Sequence, residues 1–118
     1  MEVKTQDLTE LQLDWAAAKA NDTMVRIGSS GTVYAFKSGN PVMWNPSDNW
    51  AQGGPIIERE WICADRLMDG RWWACKRSDK GDAYLYQAAG STPLIAAMRC
   101  FVQSCLGDEI DIPEELTK

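Results

Sequence analysis

The sequence predicts an α+β domain: a mainly antiparallel sheet of about four strands packed with three helices, in the order α-β-β-α-β-β-α. Three observations carry this. Apolar residues recur at three- and four-residue steps over residues 8–20 and 94–105, the spacing of a helix with one buried stripe. Short runs at residues 25–27, 32–36, 70–76 and 83–87 have strand character and are bounded by glycine-, serine- or asparagine-containing clusters. Strands come in adjacent pairs between helices, which suits hairpins covered by helices better than parallel crossovers.

In the first helix Leu8, Leu11, Trp15 and Ala18 share a face, Thr9 precedes it and Asn21-Asp22 closes it. Residues 25–27 and 32–36 flank the turn-forming Gly28-Ser29-Ser30-Gly31, and Val33 and Ala35 alternate with Tyr34 and Phe36. Residues 38–46 read as a loop, with Gly39-Asn40-Pro41 and Asn45-Pro46 as turn signals. Ser47 or Asp48 is placed to cap a helical turn through Trp50 and Ala51. Gly53-Gly54 breaks that turn, and Pro55 opens a new helix with Ile56, Ile57, Glu60 and Trp61, because proline loses nothing at a first helical position.

Further on, Trp72, Ala74 and Lys76 face one way and Trp73, Cys75 and Arg77 the other. Ser78-Asp79-Lys80-Gly81 is a turn into the strand at 83–87. Ser91 or Thr92 caps the last helix, Pro93 opens it, and Leu94, Ala97, Met98, Phe101, Val102 and Cys105 line its buried stripe. Gly107 ends it in the left-handed conformation. Residues 1–107 thus make one domain, and 108–118 an acidic tail containing Pro113.

Composition excludes several functions. A chain of 118 residues builds a real core without staples. A net charge of −5 argues against binding a nucleic-acid backbone. No apolar run is long enough to span a membrane, and residues 1–7 lack the layout of a signal peptide, so a cytosolic setting is expected. Cys63, Cys75, Cys100 and Cys105 lack metal-site spacing, and there is no histidine. Neither a metal nor a cofactor is expected, and the cysteines read as free and buried. Without histidine the commonest general base is missing. Asp14, Asp48, Glu58 and Glu60 remain as carboxylates, but no nucleophile elbow, phosphate loop or dinucleotide fingerprint accompanies them. The chain therefore reads as a binding protein and not an enzyme.

The candidate ligand-binding residues are Trp44, Asn45, Trp50, Gly53, Gly54, Arg59 and Arg99. The two indoles offer flat apolar faces, on which a nucleobase can stack. Gly53 and Gly54 can bare backbone amides at the start of the helix opened by Pro55, where the partial positive charge suits an anion. Arg59 and Arg99 supply forked cationic donors for phosphate. The plainer reading is that Gly53-Gly54-Pro55 is a kink between two helical pieces. In that reading Trp15, Trp61 and one of Trp72 and Trp73 fill the core, and Arg59 and Arg99 pair with Glu60 or Asp14. Exposed tryptophans would equally anchor a protein interface, and the acidic tail could dock a basic partner.

Three blocks carry a resemblance to a known family: Leu8-Thr9-Glu10-Leu11-Gln12-Leu13-Asp14-Trp15-Ala16-Ala17-Ala18-Lys19, the central run from Pro46 through Trp50-Ala51-Gln52-Gly53-Gly54-Pro55-Ile56-Ile57-Glu58-Arg59-Glu60, and the closing helix and tail from Thr92 to Val102 and Leu106 to Leu116. On these the chain resembles the phage NinX family, which is similar to a wider phage α–β–α sandwich group. The match is weakest over 23–40 and 63–87. The resemblance implies a phage accessory protein working in the host cytoplasm. The expected function is non-enzymatic counter-defence, in which the protein sequesters a small anionic, nucleotide-type immune signal, with the pocket closed between subunits of a homo-oligomer. The alternative is inhibition of a host protein through the tryptophan-rich surface or the acidic tail.

Overall fold

The computed structural model describes residues 1–78 and 85–117. Over these the chain forms β1 (Glu2–Lys4), α1 (Glu10–Ala20), β2 (Val25–Ile27), β3 (Val33–Lys37), β4 (Asn40–Met43), α2 (Trp50–Glu60), β5 (Cys63–Arg66), β6 (Trp72–Arg77), β7 (Leu85–Gly90), α3 (Pro93–Leu106) and β8 (Glu109–Asp111), with 3-10 turns at Thr5–Asp7 and Glu114–Leu116. The fold is α+β, with the three helices and two hairpins in the expected order. The described strands form three separate antiparallel sheets, β1-β8, β2-β3-β4 and β5-β6-β7, and not one sheet of about four strands. The turn expected at Ser78-Asp79-Lys80-Gly81 and the start of the following strand fall largely outside the described residues.

α3 is the hub, packing on β6 and β7 and against α1 and α2. Thr92 caps it by accepting from the Ile95 amide at 3.1 Å, with Pro93 as its first residue. Its buried side includes Leu94, Ala97, Met98, Phe101 and Val102, as the periodicity predicts, whereas Cys105 is exposed. Gly90 lets β7 approach α3, since a side chain there would run into the Ala96 amide and Ile95. α1 starts with a capping box: the Gln12 amide donates to Thr9 Oγ1 at 3.5 Å and the Thr9 amide to Gln12 Oε1 at 3.0 Å. Gly107 has φ +93 and ψ −172, a conformation reserved for glycine but not the left-handed helical one expected.

Two segments depart from the sequence reading. Residues 38–46 are not all loop, because Asn40–Met43 pairs with β3 through a two-residue turn at Ser38 (φ +53) and Gly39 (φ +82). Pro41 obscured this strand, and it is tolerated because β4 is an edge. The segment after Gly107 is no free tail. β8 pairs with β1, and Ile110, Ile112 and Leu116 enter the core. The Met1 ammonium donates to Asp111 Oδ1 at 2.9 Å, and Gln12 Nε2 donates to the Leu116 carbonyl at 3.0 Å. The charged residues hid an apolar alternation at Ile110, Ile112 and Leu116.

Candidate functional site

α2 is one continuous helix from Trp50 to Glu60, with Pro55 inside it. This overturns the reading of Gly53-Gly54 as a break and Pro55 as a helix start. The cap is Asn49, whose Oδ1 accepts from the Ala51 amide at 2.9 Å, and not Ser47 or Asp48. The Gly53 amide donates to the Asn49 carbonyl at 2.8 Å, so it is engaged within the helix. Gly53 has a packing reason for being glycine: a Cβ there would collide with the Pro46 carbonyl and a Leu94 methyl. Gly54 has no such crowding, with only the Trp50 ring at 3.9 Å.

The seven candidate residues are not gathered in one cleft. Trp44 is half-buried against the core, and its indole N–H donates to the Asp14 carbonyl at 2.9 Å. The Asn45 amide donates to Gln52 Oε1 at 2.7 Å, and Gln52 in turn donates to the Met43 carbonyl. Trp50 is exposed at the start of α2. Arg59 lies at the other end of that helix. Arg99 is on α3, clamping the carbonyls of Ala89 (2.8 Å) and Leu8 (3.1 Å). Its Nε is buried without a partner, and burial holds the guanidinium below its usual pKa. Arg99 therefore acts as a strut, and neither it nor Arg59 bonds to Asp14. Asp14 itself is buried, accepting from the Ser47 amide at 2.9 Å, and burial pushes its carboxyl up to about 6.

A cavity of about 790 Å³ does open at the C-terminal end of α2, lined by Arg59, Glu60, Trp61, Cys63, Cys75, Lys76, Arg77, Ser78 and Leu85. Arg59 is the one candidate residue it contains. Arg59 Nε sits 2.9 Å from Glu60 Oε2, Arg59 Nη2 donates to Asn21 Oδ1 at 2.7 Å, and the guanidinium lies 5.8 Å from the Phe101 ring. The other Glu60 oxygen is 3.7 Å from Nζ of Lys76, which is buried. Arg77 is exposed on the next turn of the pleat. Two cations thus share the Glu60 carboxylate, and a third, Arg77, lines the same cavity, in a protein whose net charge is −5.

Trp61, which the sequence places in the core, lines the open edge of this cavity. It is 86% exposed and holds φ +56 and ψ +45, a left-handed conformation at the end of α2 where glycine is the usual occupant. Holding tryptophan there costs about 1–2 kcal/mol. Of the hairpin tryptophans, Trp72 packs on the core, while Trp73 lies on the outer face with its indole N–H donating to Gln87 Oε1 at 3.1 Å. A second, smaller cavity of about 370 Å³ includes Lys4, Gln6, Arg99, Gln103 and Asp108. Neither cavity is lined by Trp44, Asn45, Trp50, Gly53 or Gly54. Lys76 was legible as an inward residue, since it shares a strand face with Trp72 and Ala74. Nothing in the sequence marks Trp61 as an exposed indole.

Among the described residues no cluster of histidine, cysteine, aspartate or glutamate is arranged to hold a metal. No helix among them is long and apolar enough to cross a membrane. A family model described as Bacteriophage P22, NinX matches residues 4–104. The chain belongs to the phage NinX family. No curated protein matches it. The match takes in α1, α2, all of β5-β6-β7 and most of α3, so the cavity at the end of α2 lies within the NinX region of the chain.

Proposed function

We propose that this NinX protein is a non-enzymatic phage accessory protein that acts in the host cytoplasm by binding, and that it sequesters a small anionic, nucleotide-type signal as counter-defence. The observation that supports this most is the cavity at the end of α2, which combines Arg59, Lys76 and Arg77 with the exposed Trp61 indole. Its volume lies in the range of small-molecule sites, roughly 300–1,000 Å³. An indole that can stack a base beside cations that can meet a phosphate is a suitable pairing for a nucleotide. The test is a thermal shift with a panel of cyclic dinucleotides and ADP-ribose-type compounds. Ligand bound only by the folded state raises Tm by mass action. A flat response across the panel at saturating concentration removes the sequestration reading.

A second reading is favoured by the exposure of Trp50 and Trp61, at 58% and 86% on the two ends of one helix. Such indoles anchor protein interfaces, which suits direct inhibition of a host protein. A pull-down from host lysate that loses its partner when Trp50 is changed to alanine supports this reading, and recovery of no partner at physiological salt removes it.

A further inference from the structure

Cys63 and Cys75 stand directly opposite each other on β5 and β6. Along this ladder the Leu67 amide donates to the Arg71 carbonyl, which makes Leu67 and Arg71 a hydrogen-bonded pair. Alternation then makes Asp65–Trp73 and Cys63–Cys75 hydrogen-bonded pairs as well. Such pairs hold their Cα atoms about 5.5 Å apart, inside the span of roughly 4.4–6.8 Å that a disulfide bridges. Directly opposite side chains share one face. That face is the outer one, since α3 covers the alternate residues Ala74, Ala88 and Gly90. Both sulfurs belong to residues lining the cavity.

We propose that Cys63 and Cys75 form a reversible cross-strand disulfide couple in the cavity wall, a modification site for a two-electron oxidant of the peroxide class. Cys63 is exposed and Cys75 half-buried, so Cys63 meets the oxidant first. Burial, and then the neighbouring Cys63, push the Cys75 thiol upward, which agrees with that order. The Cys63 thiolate attacks one peroxide oxygen; the O–O bond breaks, hydroxide leaves and takes up a proton as water, and Cys63 becomes a sulfenic acid. The Cys75 thiolate then attacks the Cys63 sulfur; the S–S bond forms, the S–O bond breaks, and a second hydroxide leaves as water. Two thiols and one peroxide give one disulfide and two waters.

The remaining cysteines are poorly placed to compete. Cys100 is on the buried side of α3, its thiol donates to the Tyr86 carbonyl at 3.5 Å, and burial pushes it up to about 12. Cys105 is exposed and open to the oxidant, but it sits near the end of α3, off the β5-β6 ladder that sets Cys63 opposite Cys75. β5 is an edge strand and can shift to close the bond. Opposite Cβ atoms sit about 4.5–5.5 Å apart, slightly beyond the roughly 3.5–4.5 Å of a relaxed disulfide. At this exposed edge the bond is open to exchange with an external thiol.

The experiment treats the folded protein with hydrogen peroxide, alkylates free thiols and maps tryptic peptides without reduction. The expected result is peptide 60–66 linked to peptide 72–76, with Cys100 and Cys105 still alkylatable after unfolding and the link reversed by glutathione. Cys75→Ser should abolish the link and leave a sulfenic acid at Cys63 that a dimedone-type reagent traps. Because Cys75 is half-buried, Cys63→Ser at the exposed position serves as the second variant and should equally abolish the link. Unlinked peptides carrying sulfinic acid at Cys63, or bonds to Cys100, to Cys105 or between molecules, overturn the proposal.

Discussion

Glu60 Oε1 lies 3.7 Å from Nζ of Lys76, while Glu60 Oε2 lies 2.9 Å from Nε of Arg59. One carboxylate is thus shared between a buried ammonium and a guanidinium on the rim of the cavity. Lys76 is carried inward by the strand alternation that buries Ala74, and Glu60 is brought to it by the last turn of α2. The same carboxylate that balances these charges would oppose an incoming phosphate. The two effects have opposite signs, which makes the pair testable. Glu60→Gln should lower stability by about 1 kcal/mol, since Glu60 is partly exposed and the pair is not a fully buried one. It should also tighten nucleotide binding severalfold. Denaturant melts and a ligand titration of the same variant measure both; a variant that loses stability and binding together would mean Glu60 only organises the cavity.

Trp61 offers a second pair of opposed effects. Its left-handed backbone favours glycine, so Trp61→Gly should relieve strain and leave stability unchanged or higher by up to about 1 kcal/mol. Losing the exposed ring removes little burial. If the indole stacks the ligand, affinity falls by about 1–3 kcal/mol, the value of a base–aromatic stack. A loss of several kcal/mol in stability would show that the ring supports the fold.

Asp14 predicts a pH effect. Its carboxyl titrates at about 6 in the folded protein against 3.8 ordinarily, chiefly because it is buried. The folded state therefore holds this proton more tightly than the unfolded chain. The stabilisation is complete below about pH 4 and is lost as pH rises through about 6, amounting to roughly 3 kcal/mol. Asp14→Asn keeps an acceptor for the Ser47 amide and has no charge to bury. It should match or exceed wild-type stability at neutral pH and flatten the profile across this window. Asp14→Ala should destabilise by about 1–3 kcal/mol, because it leaves the buried Ser47 amide without its acceptor. Urea melts across the pH range check both.

The adjacent glycines of α2 should respond differently. Gly53→Ala places a methyl against the Pro46 carbonyl and Leu94 and should cost more than about 2 kcal/mol. Gly54→Ala meets only the Trp50 ring edge at ordinary contact distance and should stabilise the helix by about 0.5–1 kcal/mol. Thermal melts of the two variants decide this; equal effects would mean that α2 is not seated on Pro46 as described.

These features also show what the sequence could and could not convey. The helical stripes, the two hairpins and the Thr92-Pro93 start were readable because local spacing and capping chemistry agree with the tertiary packing. The central helix was misread because Gly-Gly-Pro breaks most helices. Here Gly53 is demanded by a contact with Pro46, and the helix runs on through Pro55 in its interior. The pairing of Arg59 with Glu60 is legible from their adjacency, whereas its bond to Asn21, 38 residues away, is not. The cavity depends on the end of α2, with Trp61, lying beside Lys76 and Arg77 of β6, and on a left-handed residue that no local signal announces. Trp44 and Trp50 look equivalent in sequence, yet one indole is tied to the Asp14 carbonyl and the other faces solvent.

The most direct test of the account is an equilibrium titration of the nucleotide panel against wild type and Arg77→Ala. Arg77 is exposed, so its removal should leave the fold intact. Saturable binding to wild type is expected, weakened by about 1.5–3 kcal/mol in the variant, the value of a charge-assisted hydrogen bond. Binding that survives unchanged in the variant, or no binding to wild type at all, would contradict it.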